Sequence, residues 1–206
     1  MSKVVIEMTM SLDGFVAGPG DGKDFPLGKN GGMHIFDWYF SGSEEVGGSP
    51  LFKPEPGANR AEVERMLADS GAFIFGRRTY EITNGWDGRH PVHGAPVFVL
   101  THKPPPPETV PKGPSNLTFV TDGIASAIAQ ARAVAGGRAI RLGGASPGQQ
   151  ALKAGLCDEI VIHVAPYLLG DGVRLFEHFD GPVKLDKIAT TDGPHATHLH
   201  YRVVRS

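Results

Sequence analysis

Arg138-Ala-Ile-Arg-Leu-Gly-Gly-Ala-Ser146 reads as a short strand that passes through two glycines into a helix, and this unit decides the fold class. The glycines allow a tight turn and a close approach to backbone N–H groups. Working outward, the same change of period recurs. Ala72-Phe-Ile-Phe-Gly76 is a buried strand by length and residue type, and Arg77 to Ile82 resumes as a helix. Pro96 to Thr101, Leu117 to Val120 and Ile160 to Ala165 are further strands, and Ile124, Ala127, Ile128 and Ala131 line one face of a helix from Ile124 to Ala135. Lys3 to Met10 supplies a first strand. About Val183 to Thr191 and Thr197 to Val204 supply two more with no helix between them. Repeated β-α units followed by β-β imply a three-layer α/β sandwich: a mostly parallel central sheet, helices on both faces, and a C-terminal antiparallel hairpin. No repeat or boundary interrupts the pattern, so residues 1–206 are read as one domain.

The remaining local signals are weaker. Asn59 with Glu62 has capping-box spacing ahead of Val63, Met66 and Leu67, and that helix should stop near Gly71. Asp122 is placed to cap the helix at Ile124. Residues 18–33 hold six glycines and few apolar anchors, which predicts a long mobile loop. His34 to Phe40 is short, aromatic and helical in character, and 41–58 is again rich in Gly, Ser and Pro, so 18–58 reads as a Gly-rich insertion. The prolines at 104–107 form a surface connector. Thr197, Leu199, Tyr201 and Val203 alternate with His198, His200 and Arg202, which puts the histidines on the exposed face of a strand; with His195 they lack an acid or cysteine to complete a metal site, and none is expected. His90 and His93 read as solvated loop residues.

Composition narrows the function classes. Apolar residues are 40% of the 206, enough for a core. Lys and Arg total 20 against 22 Asp and Glu, and 20 − 22 = −2 argues against a nucleic-acid or anionic-membrane partner. The one cysteine, Cys157, excludes an intrachain disulfide and a thiolate-rich zinc site. Met1 to Met10 contains Lys3 and Glu7 and reads as neither a signal peptide nor a membrane span, so a cytoplasmic protein is expected.

In a parallel sheet, ligands bind beyond the carboxyl ends of the strands. Three of those ends are unusual here. Gly76 closes a strand, and Arg77, Arg78 and Thr79 follow. Thr101, His102 and Lys103 follow another. Gly143, Gly144, Ala145 and Ser146 join a third strand to its helix, without matching the G-x-G-x-x-G or P-loop patterns. Together they describe a cationic, amide-rich groove suited to a dinucleotide with an extra ribose phosphate.

Several of these segments resemble the dihydrofolate reductase superfamily, above all its riboflavin-biosynthesis reductase branch. Met10-Ser-Leu-Asp-Gly-Phe-Val-Ala17, Phe75-Gly-Arg-Arg-Thr-Tyr-Glu81, Val99-Leu-Thr101, Leu142-Gly-Gly-Ala145, Leu156-Cys-Asp-Glu-Ile160 and Tyr167-Leu-Leu-Gly-Asp-Gly172 fall in that family's order. The resemblance implies a dihydrofolate reductase-like fold and NADPH as hydride donor. By matching position, Thr9, Val16 and Ala17 would flank the nicotinamide, with Gly170 and Asp171 in the loop on that side. Arg77, Arg78, Thr79, Thr101 and His102 would surround the adenosine phosphate, and Gly143, Gly144, Ala145 and Ser146 the pyrophosphate. For the substrate, Asp37 and Trp38 in Ile35-Phe-Asp-Trp-Tyr39 and the loop acid Asp13 are the candidates, Asp37 and Asp13 also as catalytic acids. The resemblance implies reduction of a small heterocycle or sugar-linked pyrimidine by a homodimer. Its rivals are a non-catalytic nucleotide-binding protein and a true dihydrofolate reductase.

Overall fold

A computed structural model describes residues 1–92 and 94–205. In chain order the elements are β1 (Val4–Ser11), β2 (Phe15–Ala17), α1 (Asp37–Phe40), α2 (Ala58–Asp69), β3 (Ser70–Gly76), α3 (Arg77–Ile82), β4 (Val97–Leu100), β5 (Leu117–Val120), α4 (Ile124–Val134), β6 (Ala139–Gly143), α5 (Ala145–Lys153), β7 (Glu159–Ala165), β8 (Val173–Arg174), β9 (Leu185–Gly193) and β10 (Ala196–Val203). Eight strands form one sheet of order β5-β4-β3-β6-β1-β7-β10-β9. The six from β5 to β7 run parallel, β10 joins β7 antiparallel, and β9 and β10 form the terminal hairpin.

Both faces are covered, which is why the strands read as continuous apolar runs. On one face Val4, Ile6, Ile74, Ile140 and Leu142 pack beneath Ala127, Ile128 and Ala131 of α4 and Ala151 of α5. On the other, Phe73, Val97 and Val99 meet Trp38 of α1, Val63 and Met66 of α2, and Tyr80 of α3. Ile74 is wholly buried at the centre; removing such a side chain to alanine costs roughly 2–5 kcal/mol. The carboxyl ends of β1, β3 and β6 lie side by side along one edge of the sheet.

Several local readings are corrected. Asn59 is not a cap: Gly57, at φ 111°, precedes α2, and Asn59 is buried in the first turn, where its amide donates to the Pro194 carbonyl at 2.7 Å. Gly123, at φ 98°, precedes α4, so Asp122 is not its cap either. At both starts the chain turns through a backbone conformation open to glycine, which leaves no role for a capping side chain. His198 is only 3% exposed and His200 half-buried, because α2 covers the face of β10 that the alternation assigned to solvent. His90 is buried against Phe73, Phe75 and Trp86; His93 lies outside the described residues. The β2–β8 ribbon was not anticipated from the sequence.

The stretch 18–33 folds closely on itself. Gly18 N–H donates to Leu27 O and Lys29 N–H to Pro19 O, both at 2.9 Å. A Cβ on Gly28 would lie 2.1 Å from Gly18 O, and Gly28 sits at φ 80°. Its glycine permits that contact.

Candidate functional site

Beyond the carboxyl ends of β1 and β6 lies a mostly apolar cavity of about 490 Å³, within the size range of small-molecule sites. Thr9 from β1, Val16 and Ala17 from β2, Arg78 and Thr79 from α3, and Gly143 and Gly144 from the end of β6 all line it. The insertion closes it from outside through Asp21, Leu27, Met33 and Phe36. Seven of the residues singled out from the sequence are thus brought together. A smaller cavity of about 200 Å³ takes Arg77 and Thr101, with Lys23 and Lys103.

The two glycines do different work. A Cβ on Gly143 would meet the Phe75 ring at 2.1 Å, so Gly143 is a packing requirement. Gly144 sits at φ 84°, with Thr79 Oγ1 3.1 Å from where its Cβ would be. It precedes α5, whose first turn has no side-chain cap. The Gly144 N–H is directed at Met8 Sδ, 3.0 Å away, a weak acceptor that an anionic oxygen would outcompete. Free amides at a helix start, the Thr79 hydroxyl and the Arg78 guanidinium fit a pyrophosphate here. Lys23, Arg77 and Lys103 around the second cavity, opposed by Glu81 alone among its lining acids, fit a further phosphate.

The arginines are held, not loose. Arg78 bonds both carboxylate oxygens of Asp21 at 2.6 Å, which fastens the insertion across the cavity mouth and raises the Arg78 pKa. Arg77 pairs with Glu81 at 2.6 Å and donates to Lys103 O at 2.7 Å. Gly76 precedes α3 in extended conformation. Ala145 and Ser146 open α5, and the Ser146 hydroxyl accepts from Gln150 at 3.0 Å. His102 is exposed and lines neither cavity.

The acids first suspected for the substrate stand outside the main cavity. Asp13 accepts from the Ser11 hydroxyl at 2.6 Å and from the Leu169 and Gly170 N–H groups at 3.1 and 2.7 Å. Desolvation pushes its pKa up, but these bonds outweigh it and hold the carboxyl below its ordinary value. Asp13 thus ties the first loop to the 169–170 turn, where Asp171 accepts from Gly172 N–H at 2.8 Å. Asp37 accepts from Tyr167 at 2.8 Å and lies 3.4 Å from His34, with its side chain 36% exposed. Trp38 is buried; its indole N–H donates to Thr9 Oγ1 at 3.1 Å, and its ring packs on His163. Thr9 spends an acceptor lone pair there and keeps its own proton for another partner.

Besides Asp21 at the mouth, the acid that lines the cavity is Glu7, with Arg141 beside it. Both are buried: their side chains are 4% and 2% exposed, and they are in direct contact. Arg65 of α2 bridges Glu7 at 3.0 Å and Glu62 at 2.8 Å. Arg141 also donates to Ser70 Oγ at 2.6 Å, and burial lowers its pKa to about 10. Behind Glu7 lies a chain of buried side chains, His163, His198 and Asn59. The signal in the sequence was a lone carboxylate inside Val4-Val-Ile-Glu-Met8 and an arginine inside Arg138-Ala-Ile-Arg-Leu142: ionisable residues mid-strand in a sheet covered on both faces.

The profile of the RibD C-terminal domain matches residues 2–198. An uncharacterised Bacillus subtilis protein, YwjB, is 26% identical over 201 residues, 97% of each chain. Among solved structures, a protein of Shewanella sp. PV-4 provisionally assigned to riboflavin biosynthesis is 25% identical over the whole of both chains, with a TM-score of 0.69. Enterococcus faecalis dihydrofolate reductase, solved with NADP(H), shares the fold at 13% identity and a TM-score of 0.59, over 98% of this chain and 96% of that one. Acinetobacter baumannii RibD does so at 17% and 0.58; this chain is matched throughout and spans 59% of that one.

Proposed function

The chain belongs to the RibD C-terminal domain family, and from that premise we propose that it is an NADPH-dependent reductase acting on an imine or carbonyl of a small heterocycle or sugar-linked pyrimidine. The observation that carries this reading is the composition of one cavity. Thr9, Val16 and Ala17, at the position the resemblance gives the nicotinamide, and Arg78, Thr79 and Gly144, suited to the pyrophosphate, line the same 490 Å³ space. Lys23, Arg77 and Lys103 then take the ribose phosphate and favour NADPH over NADH. A related protein is described as a 5-amino-6-(5-phosphoribosylamino)uracil reductase, which makes that compound the first acceptor to try.

When bound, the nicotinamide supplies the hydride. The protein's part is alignment and exclusion of water. Val16, Ala17 and Leu27 give the cavity an apolar wall, Thr9 offers a hydroxyl at its floor, and the Asp21–Arg78 pair holds the insertion over the mouth. Calorimetric titration with NADPH and NADH, followed by NADPH oxidation with 5-amino-6-(5-phosphoribosylamino)uracil, tests the reading. It predicts tighter binding of NADPH and steady oxidation. Equal affinities, or binding without turnover across pyrimidine and pterin acceptors, would overturn it.

A further inference from the structure

Reduction of a C=N or C=O bond needs a proton as well as a hydride, and the buried chain behind the cavity has a direction that bears on its source. Asn59 sets that direction. Its Nδ2 donates to the Pro194 carbonyl, so the atom facing His198 Nε2, 3.0 Å away, is Oδ1, which can only accept. His198 therefore carries its proton on Nε2. Burial keeps both imidazoles neutral, pulling His198 down to about 4 and His163 to about 3. In neutral His198, Nδ1 is then an acceptor, and the 2.8 Å contact between the two Nδ1 atoms puts the next proton on His163. This leaves His163 Nε2 bare, in a ring 1% exposed, with no hydrogen bond and 3.5 Å from Glu7 Oε1.

A bare nitrogen against a carboxylate oxygen is two acceptors in contact. One added proton makes the contact a hydrogen bond and completes an unbroken donor chain from Glu7 to Asn59. The surrounding charges leave room for it. Glu62, Asp69 and Arg65 face the cluster from α2, Arg141 from β6, and the half-buried His200 from β10. With Asp192 acting on His198 from β9 and Glu159 on Arg141 and His200 from β7, the carboxylates Glu7, Glu62, Asp69, Asp192 and Glu159 outnumber the guanidiniums Arg65 and Arg141.

We propose that the Glu7–His163 contact stores one proton and that Glu7, which lines the cavity, passes it to the acceptor during reduction. This rests on the reductase reading. The acceptor carbon gains the hydride from NADPH and the C=N or C=O π pair moves to the heteroatom. The heteroatom takes the proton from Glu7, and NADP⁺ and the reduced acceptor leave. Water entering the emptied cavity returns one proton to the contact. Glu7 is the catalytic residue; His163, His198 and Asn59 position the proton toward it.

Two measurements test this. Nitrogen-15 NMR of the histidines in the ligand-free protein at neutral pH should show His198 protonated on Nε2. His163 Nε2 should lie away from the free-base position and move when Glu7→Gln is introduced. A free-base signal at His163 Nε2, or a bare Nε2 on His198, overturns the stored proton with or without a working acceptor, and needs no variant to fold. With NADPH and 5-amino-6-(5-phosphoribosylamino)uracil, Glu7→Gln should lower kcat by roughly 100-fold or more, the scale of lost acid catalysis, with NADPH affinity nearly unchanged. Wild-type turnover that survives Glu7→Gln within a few-fold refutes delivery by Glu7 and leaves the reductase standing. A wild type with the predicted histidine signals but no turnover with any pyrimidine or pterin acceptor refutes the reductase reading and the delivery step with it.

Discussion

The proton inventory of the buried cluster sets how stability depends on pH. His163 and His198 are neutral when folded, with pKa values near 3 and 4, and return to about 6.5 when the chain unfolds. Between pH 4.5 and 6.5 the unfolded state therefore binds more protons, so stability is full above about 6.5 and falls as pH drops. Each histidine contributes about 1.4 kcal/mol per pH unit, and two would give about 2.7. The stored proton acts with the opposite sign. It is bound in the folded state and released on unfolding wherever a free glutamate is ionised, above about pH 4.3. It cancels one histidine, which leaves a net slope near 1.4 kcal/mol per unit from these groups below pH 6.5, to which His200, its pKa also lowered by burial, adds with the same sign, and it makes stability decline again above 6.5. From pH 6.5 to 4.5 the wild type should lose about 3 kcal/mol, a large share of the 5–15 of an ordinary domain. Urea unfolding at a series of pH values reads this directly. Wild type should peak near pH 6.5; Glu7→Gln should show the doubled slope below and a plateau above. A wild type that matches Glu7→Gln in slope below pH 6.5 and holds a plateau above it refutes the stored proton, and a flat profile from 4.5 to 6.5 refutes the neutral buried histidines.

Other expectations concern the cofactor side and assembly. The variant Arg77→Ala should lose about 1–3 kcal/mol of NADPH binding and little NADH binding; equal losses for the two cofactors by calorimetry would remove the assignment of the ribose phosphate to the smaller cavity. Asp21→Ala releases Arg78 from its carboxylate partner and should tighten NADPH binding by a few-fold, the worth of one exposed pair; weaker binding would show that the loop latch matters more than the freed charge. Gly144→Val forces a side chain into φ 84°, ψ 159°, costing roughly 1–3 kcal/mol of stability, and should weaken cofactor binding sharply while the far-UV spectrum stays folded; unchanged binding would make the turn a packing device. The resemblance leads us to expect a homodimer, and sedimentation velocity giving a monomer at micromolar concentration would refute it.

The fold was legible because strands buried on both faces leave a strong mark: Ala72 to Gly76, Pro96 to Thr101 and Arg138 to Leu142 read as strands without further help. The cofactor side was legible in part, since Arg78, Thr79, Gly143 and Gly144 follow strand ends, the one place a parallel sheet can bind a ligand. The buried polar chain was not. His198 alternates with apolar neighbours as an exposed residue would, and the packing of Trp38 from α1 and Asn59 from α2, both distant in sequence, turns that face inward. Asn59 has cap spacing, but its amide is used across 135 residues on Pro194. Glu7 stood in plain view as a charge inside an apolar strand; its partners Arg65, Arg141 and His163 come from three other elements, so spacing alone could not assemble them. No helix among the described residues is long and apolar enough to cross a membrane.

The proposed reaction is hydride transfer from NADPH within the cavity that Thr9, Val16 and Ala17 share with Gly144. Its most direct test is a turnover with NADPH carrying deuterium on the reactive nicotinamide carbon and 5-amino-6-(5-phosphoribosylamino)uracil as acceptor, the product being analysed by mass spectrometry. The account predicts a reduced product that carries the deuterium on carbon, formed in proportion to the NADPH consumed. NADPH that binds yet passes no deuterium to this acceptor, or to dihydrofolate offered in its place, would contradict it.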